Sequence, residues 1–273
     1  MDKILLHEYV IPAKGVKRKI VYHFSDTHLT EYDELSSAEE TEKAKKQTAA
    51  WENVRSGFAS AYNEPYGENQ RLAPLEHFNN LLSACKDGDA LVIAGDMLDY
   101  VNEANLRITE KAMENPPCPT MILCGNHEKA IDIPDGKNYS AMKNPVQVIE
   151  TEDMIILGID DSKREIINEQ FTALQDAVNG DKKVLLAMHI PIMTEGNHDA
   201  LMRAGEYFRL NYEGCPEINH RFINLIKDNP EKFIAVLAGH LHFINNSYVA
   251  DGVMQYVSTQ GITGNLNKYV IGE

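Results

Sequence analysis

The chain has 273 residues, of which 43% are apolar and 25% charged, enough for a buried core of ordinary soluble character. Its formal net charge of −15 argues against a broad basic face for nucleic acid or an anionic membrane. A phosphorylated substrate stays open, because bound cations can reverse the local field.

The opening, "MDKILLHEYVIPAKGVKRKIVYHFSD", lacks an apolar core followed by a small-residue cleavage site. No stretch approaches the roughly twenty apolar residues that span a bilayer. A cytoplasmic protein without membrane contact is therefore expected. Cys85, Cys118, Cys124 and Cys215 form no CxxC pair and read as reduced, mostly buried thiols.

"KILLHEYVI" and "KIVYHF" read as the first two strands. An excursion follows over residues 31–72. Ser37 and Glu40 have capping-box spacing, and Trp51, Val54, Phe58 and Tyr62 recur at helical intervals. This predicts a helix over about 38–62 whose aromatic stripe packs on the body, and whose position lets it overhang a site. A second helix is expected over about 73–86. Then come "DALVIAG", "PTMILCG", "DMIILGI", "KKVLLAMH" and "KFIAVLAGH", nearly continuous apolar runs that suit strands covered on both faces. Helical patterns separate several of them: "NLRITEKAMEN", "NEQFTALQDAV" and "INHRFINLIKD". The tail reads as meandering strands with Asp251-Gly252 as a tight turn. The alternation predicts a layered α/β domain over 1–273.

Five of the apolar runs end in polar motifs. "HFSDTHL" gives Asp26 and His28; "VIAGDMLDY" gives Asp96 and Asp99; "ILCGNHE" gives Asn126 and His127; "LLAMHIP" gives His189; "VLAGHLH" gives His240 and His242. Ligands bind at the carboxyl edge of open α/β sheets, so five distant segments can serve one rim. Carboxylate and imidazole suit zinc, manganese, iron or cobalt. Residues two apart on a strand face the same side, which would let Asp26 and His28, or His240 and His242, grip one ion. Glycines before Asp96, Asn126 and His240 would let the backbone turn sharply. Taken singly, a D-x-H or H-x-H is weak, His189 is a plain core histidine, and Asp99 is a loop residue. A chance origin for all five in order, each at a strand exit, is improbable.

The ordered set D-x-H, G-D-x-x-D, G-N-H-E, a lone His and G-H-x-H resembles the calcineurin-like metallophosphoesterase superfamily, from about residue 19 onward. The resemblance implies an α/β (α+β) fold, a two-layer β-sandwich flanked by helices, with two divalent transition-metal ions (Mn, Fe or Zn) at one end. It implies that Asp26, His28, Asp96 and His242 hold one ion, and Asp96, Asn126, His189 and His240 the other. His127 would be the catalytic imidazole, oriented by Asp99. Attack on phosphorus would come from a hydroxide bridging the ions, with His127 as general acid.

Single positions narrow the branch. Asp99 stands where purple acid phosphatases carry an iron-binding tyrosine. "GDMLDYV" lacks the arginine of Ser/Thr protein phosphatases, and His127 stands where lipid-A pathway pyrophosphatases carry arginine. The chain ends soon after His242, without the long C-terminal domain of 5′-nucleotidases. The expectation is a small stand-alone phosphodiesterase, similar to cyclic-nucleotide hydrolases. A phosphomonoesterase on a small metabolite or nucleotide is the nearest alternative. A non-catalytic metal-binding scaffold is a third, disfavoured because every ligand position is filled.

A second Gly-Asn-His stands at "EGNHD", residues 195–199. It follows a proline-led, increasingly polar stretch and comes after His189, so it is read as loop. The segment 192–216 is expected to form a lid that touches substrate through His198, Arg203 or Tyr207.

Overall fold

A computed structural model describes residues 3–128, 133–205 and 208–273. The first sheet runs β1 (Leu5–Ile11), then the last strand of the chain, β11 (Asn265–Ile271), then β2 (Lys19–Phe24), β3 (Ala90–Ala94) and β4 (Thr120–Leu123). The second holds β5 (Val146–Glu150), β6 (Met154–Ile159), β7 (Lys183–Ala187), β8 (Phe233–Ala238), β10 (Val253–Val257) and β9 (Asn245–Ala250), in that order. β2, β3 and β4 run parallel, as do β6, β7 and β8, so their carboxyl ends collect along one edge.

The apolar runs are strands because each has two faces to bury. In β3, Val92 and Ala94 join the core between the sheets, while Leu91 and Ile93 point outward. The outward pair packs among Phe78 and Leu81 of α2 (Pro74–Ala84) and Leu106 and Met113 of α3 (Glu103–Glu114). On the opposite face of the molecule, α4 (Asn168–Asn179) and α6 (Glu217–Asp228) cover the second sheet through Phe171, Leu174, Phe222 and Ile226. The architecture is thus helix, sheet, sheet, helix, the flanked sandwich anticipated.

The excursion folds as α1 (Ala38–Tyr62), opened by the Ser37/Glu40 capping box with both reciprocal bonds formed, at 2.8 and 3.1 Å. Val54 does not join the aromatic stripe; it is 38% exposed, and Arg55 is buried beside Trp51 instead. In the tail, β9 and β10 pair as a hairpin across Asp251 and Gly252, but β11 crosses back between β1 and β2. β5, "VQVIE", pairs antiparallel with β6; its mixed burial gave no continuous apolar run.

Candidate metal centre

The polar motifs lie just beyond the strands. β2 ends at Phe24 and β8 at Ala238, so strand alternation does not aim Asp26 and His28, or His240 and His242, as expected. A left-handed backbone does. Asp26, His28, Asp96, His240 and His242 have φ of 57°, 42°, 50°, 73° and 60°, and make up five of the seven non-glycine residues with positive φ among those described. Each such residue costs on the order of 1–3 kcal/mol and persists only when its surroundings hold it. Here the loops hold one another. Asp26 N–H donates to Gly95 O at 3.0 Å, His28 N–H to Asp96 O at 3.0 Å, and Ile262 N–H to Asp26 O at 3.0 Å. Gly95, at φ +85°, does make the expected turn. Gly125 and Gly239 serve close approach instead: a Cβ on the first would strike the Asp96 carboxylate, and on the second the Ser25 side chain.

One group comprises Asp26, His28 and His242, all buried. Asp26 Oδ2 accepts from Ser25 Oγ and from His240 N–H. Asp26 Oδ1 is buried with no hydrogen-bond partner, 3.2 Å from His242 Nε2 and 3.8 Å from His28 Nε2, which lie 3.1 Å apart. Burial lowers the His28 pKa to about 3, leaving the ring neutral with a lone pair to give. Burial opposes ionisation of Asp26, yet His242 and His189 hold its carboxyl well below the usual range.

The other group comprises Asp96, His189 and His240. His189 Nδ1 donates to Ala94 O at 2.7 Å, which directs Nε2 inward. That nitrogen lies 3.2 Å from Asp96 Oδ2 and 3.3 Å from Asn126 Oδ1. Asp96 Oδ1 is occupied by His127 N–H at 2.9 Å. Burial works against charge on His189, but Asp96, with Asp26 and Asp161 behind it, raises its pKa to about 10. Both groups thus converge in a negative field, and the proton that His189 Nε2 holds between Asp96 and Asn126 in the metal-free protein stands where a cation would. An orphaned buried carboxylate oxygen and an imidazole, amide and carboxylate meeting head-on fit divalent ions.

His127 stands beside them. Its Nδ1 is 3.0 Å from Asp99 Oδ1 and 3.0 Å from Asp99 O. Burial disfavours its charge, but Asp99 and Asp96 outweigh this and raise the pKa to about 9. Asp99 also lies 3.9 Å from His28 Nδ1.

Three supporting residues escaped the sequence reading. Glu128 accepts from the backbone N–H of Gly125 (2.8 Å), Leu98 (2.7 Å) and Asp96 (3.1 Å), tying the loop after β4 to the loop after β3. Asp161 accepts from His189 N–H and Ile190 N–H at 2.8 and 2.9 Å. Burial raises each acid to about pKa 7. Trp51 stacks on His28, ring centroids 3.8 Å apart.

The second Gly-Asn-His is local structure. Asn197 closes its own turn, accepting from Thr194 N–H at 2.6 Å and donating to Ile192 O at 3.0 Å. His198 opens the short helix α5 (His198–Ala204) and is exposed, its ring 3.1 Å from Asp199. Arg203 is exposed as well. Tyr207 lies outside the described residues. In this segment it is Phe208 that reaches the centre, its ring centroid 4.9 Å from that of His240. His23, beneath the rim, is buried and meets Tyr269 Oη at 3.2 Å.

Two groups that could each hold a metal ion thus stand at the shared edge of the two packed sheets. The sequence model described as calcineurin-like phosphoesterase matches residues 20–243, and the chain belongs to that family. Its fold is similar to that of a dimetal phosphatase from Danio rerio, with TM-score 0.58, 8% identity, and 90% of this chain and 88% of that one covered. A phosphopantetheinyl hydrolase from Mycobacterium tuberculosis aligns with TM-score 0.43 and 12% identity over 90% and 91% of the two chains. A purple acid phosphatase from yellow lupin aligns with TM-score 0.48 and 12% identity over 93% of this chain and 46% of that one. No curated protein matches the chain in sequence. Among the described residues no helix is long and apolar enough to cross a membrane.

Proposed function

We propose that the chain is a dinuclear phosphodiesterase acting on a small phosphorylated substrate, with a cyclic nucleotide among the classes to test. Asp26, His28 and His242 would hold one ion, Asn126, His189 and His240 the other, and Asp96 would serve both. Imidazole, carboxylate and amide donors suit manganese, iron or zinc. Two such ions, when bound, supply positive charge for phosphoryl oxygens and lower the pKa of a water that serves as nucleophile.

The chain's own contribution is proton management and position. The Asp99 backbone carbonyl accepts from His127 Nδ1, with the Asp99 carboxylate 3.0 Å from the same nitrogen, which leaves Nε2 as the proton donor to the leaving oxygen. With a pKa raised to about 9, the metal-free imidazole carries that proton at neutral pH. Glu128 and Asp161 keep the ligand loops in place. Ligands come from loops of both sheets, which supports reading residues 1–273 as one catalytic domain with 31–72 inserted in it. Phe208, with its ring beside His240, supports reading the segment 192–216 as a lid over the site.

One observation favours a diester over a monoester. Among the described residues, no lysine or arginine is hydrogen-bonded to or ion-paired with Asp26, His28, Asp96, Asn126, His189, His242 or His127. A diester brings a single negative charge, whereas a monoester dianion asks for additional cations. The test loads the protein with Mn²⁺, counts bound metal, and compares bis(p-nitrophenyl) phosphate with p-nitrophenyl phosphate. Faster turnover of the diester with two ions bound is expected. Preference for the monoester would overturn the diester assignment, and metal-bound protein inert to both would support a scaffold.

A further inference from the structure

We infer that Trp51 is a positioning residue for the metal ligand His28, so that α1 is built into one half of the centre. The inference rests on the reading that Asp26, His28 and His242 hold an ion. A ligating histidine ordinarily donates its other ring nitrogen to a carbonyl or carboxylate, which fixes the ring. His189 does so through Ala94 O at 2.7 Å. His28 does not: its Nδ1 is buried without a hydrogen-bond partner, and the nearest carboxylate oxygen, on Asp99, is 3.9 Å away. His242 Nδ1 is buried and unpartnered too.

Aromatic rings of α1 take the place of those bonds. The Trp51 indole lies 3.8 Å from the His28 ring at an interplanar angle of 23°, and Phe58 lies 5.0 Å from the His242 ring. Flat contact across a ring restricts its rotation while leaving the Nε2 lone pair open. The helix is itself fastened along its length. Thr48 meets Thr30 at 2.8 Å, and Arg55 donates to Leu72 O at 2.8 Å and Ile262 O at 3.3 Å. At its last residue Tyr62 stacks on Phe243 at 3.9 Å, and just beyond it Thr259 donates to Glu64 at 2.9 Å. Trp51 is the single tryptophan of the chain, so all tryptophan emission arises beside His28, with the His242 and His127 rings 5.6 and 6.1 Å from the indole.

The experiment titrates metal-free wild type, Trp51→Phe, Trp51→Leu and His189→Ala with Co²⁺, following tryptophan emission and calorimetric binding together. Wild type should bind two ions, with quenching tied to one of them. Quenching should persist in His189→Ala, which loses the other ion. Trp51→Leu should weaken one of the two sites about tenfold, roughly 1.4 kcal/mol. Trp51→Phe, which keeps a ring over His28, should stay near wild type. Unchanged affinities in Trp51→Leu, or quenching that disappears in His189→Ala, would overturn the inference while leaving the proposed function standing. A wild type that binds no divalent ion would remove both. If Trp51→Leu fails to fold, loss of quenching in His189→Ala still overturns the inference, because the ion beside Trp51 would then not be the one His28 holds.

Discussion

The two halves of the proposed centre offer similar candidate ligands but hold them differently. In the half containing His189, polar bonds do the holding: Ala94 O fixes the ring, while Asp161 and Glu128 grip the amides of the ligand loops. In the half containing His28 and His242, both Nδ1 atoms lack hydrogen-bond partners and the rings lie against Trp51 and Phe58. The polar half is made by the strand ends of the sandwich itself. The aromatic half borrows its support from an excursion that interrupts the sandwich after its first ligand loop. A ligand's identity therefore says little about what keeps it aimed; the neighbouring element decides that.

Asp96 is where the comparison is easiest to break. Its carboxylate lies 3.2 Å from His189 and is the foremost charge opposing the loss of a proton from His28. As the ligand assigned to both ions, it belongs to neither half alone. Asp96→Asn should lower affinity for both ions and cut turnover by about 10³-fold or more. Elemental analysis with steady-state kinetics measures both; loss of a single ion would confine Asp96 to the His189 half. His127→Ala comes next. It should keep two ions and lose about 10²–10⁴-fold in kcat, the range for a general acid. Full turnover in that variant would transfer the proton donor elsewhere.

Asp161→Asn sharpens the contrast itself. The substitution weakens the hold on His189 N–H and Ile190 N–H without touching a ligand atom. Affinity should fall about 10–100-fold at one site. That site should be the one Trp51→Leu spares, read by cobalt titration with tryptophan emission unchanged. Equal weakening of both sites would show that the two supports act as one.

Much of the fold was legible because strands buried on both faces announce themselves as apolar runs, and the candidate ligands drew attention because they stand at the exits of those runs. The two Gly-Asn-His strings show why position outweighs spelling. Residues 125–127 follow β4, where a Cβ on Gly125 would strike Asp96. Residues 196–198 follow no strand, and Asn197 spends its side chain on its own turn. Asp161 carried the same signal as the ligands, an acid after the apolar run of β6, but no metal motif drew attention to it. Glu128 was part of the quoted motif, yet its three backbone acceptances depend on loops that meet only in the fold. The left-handed turns at Asp26 and His28 were hidden because nothing but tertiary bonding sustains them in non-glycine residues. The stripe of α1 was readable as packing; that it packs on ligands was not.

Asp99 touches both the aromatic half and the acid, and its replacement makes the smallest of these changes. It lies 3.9 Å from His28 Nδ1 and 3.0 Å from His127 Nδ1. In the metal-free protein, burial disfavours the His127 imidazolium, but Asp99 and Asp96 raise its pKa to about 9, above the ordinary 6.5. A raised histidine pKa means the folded state holds the proton more tightly than the unfolded chain. The resulting stabilisation is fully present below pH 6.5 and is lost as pH rises through about 9. Asp99→Asn removes the larger of the two raising influences while Asp96 remains. The His127 midpoint, followed by NMR of the metal-free protein, should therefore move down toward 6.5 without passing below it by much. The fall in thermal stability between pH 6.5 and 9 should shrink with it. A midpoint unmoved in Asp99→Asn would show that Asp96 alone sets the proton affinity, and would detach Asp99 from the acid.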